Sequence, residues 1–209
     1  MKTIEILSKL ENAFQTELPG IKAHREMAPL NRPLDIHSIP DFGEYRKSAV
    51  SIVLYEYQNE LHFVLIQRPI YEGTHGGQIS FPGGKQEETD FDLEHTARRE
   101  TFEEIGVQLH QSQLLGNLST IVIPVSKFSV EPYLYLIEEK PIFTPDEREV
   151  AAIIETPLLH LLHDENIKSK SIELSSGVKM KNVPYFDLSS KTVWGATALI
   201  LNELRWMLK

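Results

Sequence analysis

The sequence predicts an α+β domain in which helices cover both faces of a mixed β-sheet. Three observations carry that prediction. Helical and strand-like periods alternate along the chain, which fits neither a helical bundle nor an all-β sandwich. Several strand-like runs are joined by short polar breaks, suited to antiparallel pairing, instead of the helical crossovers a doubly wound parallel sheet needs. The 209 residues, 41% hydrophobic and 24% charged, match one soluble domain with a substantial core and small appendages.

Taken in order, Ile4, Leu7, Leu10 and Phe14 recur at helical spacing, so residues 2–17 form an amphipathic helix ended by Pro19 and Gly20. From Ile21 to Lys47 the density of Pro29, Pro33, Pro40 and Gly43, with no sustained period, predicts an ordered surface loop. Residues 1–47 are therefore expected as a helix and extended loop packed on a main domain of residues 48–209. SAVSIVLYEY and LHFVLIQR, separated by Gln58, Asn59 and Glu60, have the β-branched and aromatic content of a hairpin. A third strand is expected from Gln78 to Phe81. A helix from Leu93 to Ile105 follows, with Asp90 or Asp92 as N-cap and Gly106 just past its end. Further strands are expected near 114–123, 129–136 and 150–154. A short helix at 158–162, a hairpin across 171–183 and a closing helix from Val193 to Leu208 complete the chain, with no internal repeat.

Bulk chemistry removes several functions. A net charge of -9 argues against nucleic-acid binding, because phosphate backbones are held by clustered lysine and arginine. With no cysteine there is no disulfide, thiolate nucleophile or cysteine-held zinc. The opening residues carry acids among the apolar side chains, unlike a secretory signal, and no apolar run approaches the ~20 residues of a membrane helix. A cytoplasmic protein with no membrane partner is expected. A homodimer is compatible with the sequence and not required by it.

The helix at Leu93–Ile105 crowds Glu100, Glu103 and Glu104 onto one short surface. Residues three and four apart share a helix face, so these carboxylates repel. A solvated acidic face is the bland explanation. A divalent cation is the sharper one, because Mg2+ and Mn2+ favour hard oxygen ligands and remove the repulsion. Context favours the cation. Gly83 and Gly84 just upstream let the backbone approach a ligand closely, and Arg99 stands beside the acids to orient one of them.

This stretch resembles the Nudix box: Gly, five residues, Glu, seven residues, Arg-Glu, an aliphatic residue, any residue, Glu-Glu, any residue, Gly, aliphatic. Here Gly84 is followed after five residues by Asp90 in place of Glu, eight residues then precede Arg99-Glu100, and Thr101 occupies the aliphatic position. Arg99, Glu100, Glu103, Glu104 and Gly106 fit without adjustment. Thr89, Asp90, Phe91 and Asp92 resemble the T-D-x-D form of the coenzyme A diphosphatase branch. So does the upstream run of Leu65 to Arg68 followed by HGGQISFPGG at 75–84, although Glu72-Gly73 replaces the branch's usual Leu-Arg. The closing WGATALIL is similar to the family's last helix.

The resemblance implies a Nudix-type α/β/α sandwich and Mg2+- or Mn2+-dependent hydrolysis of the diphosphate of coenzyme A, or an acyl derivative, to 3',5'-ADP and 4'-phosphopantetheine. Glu100 and Glu104 are then the first candidates as metal ligands, with Glu103 as a further ligand and the Gly84 carbonyl as a contributor. Hydrolysis needs a base that takes a proton from water, sought among the helix glutamates and Asp146, Glu147 and Glu149. Glu103, Arg99 and Glu149 are the catalytic candidates. For the small-molecule substrate the candidates are Arg68, Lys85, Gly83, Gly84, His75 and Gln78, the last two also suited to bracing the loop by hydrogen bonds. Arg98 is expected in solvent, Trp194 and Trp206 as packing anchors, and His160 and His163 without a metal. Two other readings stay open: hydrolysis of another nucleoside diphosphate derivative such as ADP-ribose, and a non-catalytic module that senses a ligand.

Overall fold

The computed structural model describes residues 2–30, 32–70, 76–174 and 177–209. Two strands form its spine. β1 (Arg46–Tyr57) turns through Gln58 and Asn59, both at positive φ, into the antiparallel β2 (Glu60–Gln67). A tight two-residue turn of that hand matches the twist of paired strands. The other edge of β1 runs parallel to β7 (Phe128–Ile137), from Arg46 opposite Phe128 to Tyr55 opposite Ile137. The sheet is mixed, as the sequence predicts.

β1 and β2 pair only between residues 54–57 and 60–63, and their other ends take different partners. β3 (Ile79–Ser80) pairs with the end of β2, whereas β4 (Gly83–Lys85) pairs with the start of β1. β8 (Ala152–Pro157) covers the outer edge of β2. β5 (Leu114–Asn117) and β6 (Ile121–Ile123) pair along β7, so the single run read at 114–123 is two short strands. β9 (Ile167–Glu173), β10 (Lys179–Leu188) and β11 (Lys191–Val193) form a separate three-stranded sheet, longer than the hairpin read at 171–183.

Strand alternation explains the layers. Ile52 and Leu54 of β1 enter a core shared with α1 (Thr3–Phe14), α2 (Gly20–Met27) and α4 (Gly195–Leu208). Val53 and Tyr55 point the other way, into a core with Ile105 and Val107 at the end of α3 (Leu93–Ile105). A strand buried on both faces reads as the unbroken apolar run that β1 shows. The three layers are helix, sheet and helix. The helix α2 corrects the loop reading of residues 21–47. Its Pro19 and Gly20 begin a helix instead of only ending one, and Ala23, His24 and Met27 form its buried face. Buried Glu203 of α4 binds it there, accepting from the Gly20 amide, the Ser119 amide and hydroxyl, and pairing with His24 at 2.9 Å. No helix among the described residues is long and apolar enough to cross a membrane.

Candidate active site

The site lies where β4, β2 and α3 meet. At its N-terminus α3 is capped by Asp92, whose side chain accepts the His95 amide at 2.7 Å. At its C-terminus Gly106 takes φ 73°, and the following segment returns to close the helix. Thr144 donates its amide to the Ile105 carbonyl and Asp146 donates its amide to that of Glu104. Those two bonds dock the turn bearing Glu149 against the end of the acidic helix.

Asp90 organises the loop before the helix. Its buried carboxylate accepts from the Glu87 amide, the Thr96 hydroxyl and both the Nε and Nη2 groups of Arg99, and pairs with His95 Nδ1, all at 2.9 Å. The Arg99 guanidinium, first among these donors, holds this acid well below the usual carboxylate range. The same guanidinium uses Nη1 to reach Glu100 and Glu103, each at 2.9 Å, and Nη2 to reach the Lys85 carbonyl at 3.1 Å. Arg99 is therefore a bracket between loop and helix. The sequence departure at position 90 keeps the carboxylate that fixes it.

Glu104 is the most enclosed of the acids, 1% exposed. One oxygen accepts the Gly83 amide at 2.7 Å and the other faces Arg68 Nη2 at 3.2 Å. Arg68 Nη2 also donates to the Gly83 carbonyl at 3.2 Å, so it ties the diverging strands β2 and β4 to the helix. Burial pushes the Glu104 carboxyl up to about 8, with the charges of Glu100 and Glu149 adding to the rise. Glu100 is also pushed upward by burial, with Glu103 and Glu149 adding, against the pull of Arg99. Glu149 thus acts electrostatically on both.

Gly84 faces this cluster directly. A Cβ there would meet the Glu100 carboxylate at 2.4 Å, so only glycine leaves the carboxylate its place. Thr101 has its own reason. Its hydroxyl lies 2.7 Å from both Ser51 Oγ and the Ala97 carbonyl, which Ser51 Oγ also reaches at 3.0 Å, so the two hydroxyls bond each other and that carbonyl. A hydroxyl on β1 opposite position 101 is what an aliphatic residue would leave unmatched.

The structure thus brings together Glu100, Glu104, Arg68, Gly83 and Gly84, with Glu149 near enough for its charge to act on both acids. Glu103 stands apart, its side chain 55% exposed and held by Arg99. Lys85 contributes its carbonyl; it follows Gly84 on β4, so its exposed side chain projects from the face of the sheet opposite Glu100. Gln78 accepts the Arg68 amide at 3.0 Å through its carbonyl, a bracing contact. His75, with Glu72 and Gly73, lies outside the described residues. Arg98 is not simply solvated, because it pairs with Glu94 at 2.9 Å. What the sequence reading missed is the clamp of Asp90 on Arg99 and the Ser51–Thr101 pair. Glu100 and Glu104, hard-oxygen acids beside the Gly83–Gly84 strand, are the residues that could hold a divalent cation. Among the described residues no three acids or histidines are drawn into a finished cage.

Residues 45–173, more than half of the chain, match the NUDIX domain. The chain belongs to the Nudix family. Members of the family generally use divalent metal ions. "Nudix hydrolase 15, mitochondrial" of Arabidopsis thaliana is 32% identical over 182 residues, which cover 84% of this chain and 61% of that protein. "Mitochondrial coenzyme A diphosphatase NUDT8" of Homo sapiens is 35% identical over 130 residues, 61% of this chain and 54% of that one. The chain spans between half and two thirds of the length of these curated relatives. A MutT/nudix family protein from Enterococcus faecalis aligns over 93% of this Nudix chain and 71% of its own, with TM-score 0.54 and 16% identity, and shares the fold.

Proposed function

We propose that this Nudix chain hydrolyses the diphosphate linkage of coenzyme A and its acyl derivatives, giving 3',5'-ADP and the 4'-phosphopantetheine product. The observation that carries the reading is the joint placement of Glu100 and Glu104 on the Gly83–Gly84 strand, with Arg68 as the nearby cation. The FPGG run and its upstream signature support the coenzyme A branch, as does the similarity to the human mitochondrial coenzyme A diphosphatase.

Mg2+ or Mn2+, held by Glu100 and Glu104, would supply charge neutralisation on the diphosphate and acidify a water. The chain's own residues do the rest. Arg99, fixed by Asp90, holds Glu100 in place. Arg68 holds Glu104 and offers remaining guanidinium donors to a phosphate oxygen. Glu149 takes the proton from water, because Glu103 is turned outward on Arg99 whereas the charge of Glu149 acts on both buried acids.

Incubating the protein with coenzyme A and Mg2+ or Mn2+, and separating the products, tests this. Release of 3',5'-ADP with a Glu149→Gln loss of roughly 10²-fold or more supports it. A second reading, cleavage of ADP-ribose or a related nucleoside diphosphate, is favoured by Glu72-Gly73 standing where the branch carries Leu-Arg. Turnover of ADP-ribose but not coenzyme A would select it. Turnover of neither with any divalent ion would leave a ligand-sensing module.

A further inference from the structure

A cavity of about 330 Å³ lies away from the acidic helix, between the end of α2 and the segment that follows it. Ile21, Arg25, Pro29, Leu30, Arg32 and Leu34 provide much of its wall, with Asp35 and Ser38 at the same cavity. Arg32 is the unusual member. Its guanidinium donates Nη2 to the Val122 carbonyl at 2.8 Å, and that is the one hydrogen bond its side chain makes among the described residues. A guanidinium has five N–H donors. No carboxylate among the described residues lies within ion-pair distance of Arg32 or Arg25, while Asp35 has an interaction of its own. Burial pulls the Arg32 pKa down to about 10, with no opposing charge to hold it up. Arg25 is exposed and Asp35 lines the same recess, so the departure rests on Arg32, a half-buried guanidinium with one hydrogen bond whose remaining donors an anion would satisfy.

The recess is separate from the glutamates. Val122 pairs with Ser129, Ser129 with Lys47, and the Lys47 carbonyl accepts the Gln86 amide. Three strand spacings put Val122 roughly 14 Å from the end of β4.

We propose that this cavity binds a small phosphorylated molecule, its phosphate gripped by Arg25 and Arg32 and its apolar part lying against Ile21, Pro29, Leu30 and Leu34. A phosphate monoester has three terminal oxygens and serves two guanidinium forks at once, whereas one fork saturates a carboxylate. The volume is that of a small ligand. The inference does not depend on the activity proposed above.

Calorimetric titration with inorganic phosphate and with phenyl phosphate, in EDTA and at constant ionic strength, tests it. The wild-type chain binds phenyl phosphate saturably and more tightly than inorganic phosphate. Arg32→Gln and Arg25→Gln each weaken binding at least tenfold, and Glu104→Gln leaves it unchanged. Should Arg32→Gln fold poorly by circular dichroism, Arg25→Gln and Arg32→Lys carry the comparison, with the lysine variant keeping part of the affinity. No saturable binding by the wild type, unchanged affinity in a folded arginine variant, or loss of binding in Glu104→Gln alone overturns the assignment.

Discussion

Adjacent glycines at the site are expected to fail in opposite ways when given a side chain. At Gly84 a new Cβ meets the Glu100 carboxylate at 2.4 Å, against an ordinary contact of 3.4–4 Å. The obstacle is the far end of a flexible side chain, so Gly84→Ala should fold with stability changed by about 1 kcal/mol or less. The carboxylate must retreat by about 1 Å, and a shift of that size at a reacting group costs roughly 10²-fold in rate. At Gly83 the Cβ meets the Ala49 carbonyl oxygen at 2.3 Å and the Val50 Cα at 2.6 Å, with φ at 151°. Those atoms are backbone of the central strand and cannot yield, so Gly83→Ala should lose about 3 kcal/mol or more. Urea melts beside kcat/KM and Mn2+ affinity separate the two. A Gly84→Ala protein with wild-type activity and metal binding, or a Gly83→Ala protein of wild-type stability, would refute the reasoning.

Asp90→Asn should cost about 3 kcal/mol, since it breaks a buried bidentate pair, and should lower activity because Arg99 no longer holds Glu100. Asp90 is held below its ordinary range in the fold, so its stabilisation is present above about pH 4 and lost as pH falls; the variant's acid melt should be flatter than the wild type's. Glu104 is shifted the other way, and the native state keeps its proton between about 4.5 and 8 after the unfolded chain has lost it. Wild-type stability in EDTA should therefore decline as pH rises through that window, and Glu104→Gln should lack the decline; equal slopes by thermal melts would contradict it. Thr101→Val should cost about 1 kcal/mol, and Ser51→Ala with Thr101→Val should cost less than the sum of the single changes, as a double-mutant cycle would show.

Much of this was legible where a local signal matched a long-range demand. α3 runs from Leu93 to Ile105 as its caps foretold, because Asp92 and Gly106 act within one turn. The β1–β2 hairpin followed from its polar break. Other features depend on partners distant in sequence. β4 looked like a glycine loop because the Ala49 backbone, which demands glycine at 83, lies far upstream. The helix α2 was hidden by neighbouring prolines, and its burial comes from α4 and from Glu203 at the other end of the chain. The family motif picks out the acids in the sequence but cannot orient them. Arg99 reaches both Glu100 and Glu103, yet only Glu100 lies against Gly84.

The most direct test of the account is the affinity for Mn2+, read from the free-ion electron paramagnetic resonance signal of the wild type and of Glu100→Gln and Glu104→Gln. Saturable binding by the wild type, weakened at least tenfold in both folded variants, is the predicted result. Wild-type protein that leaves the free-ion signal unchanged, or variants that bind as the wild type does, would contradict it.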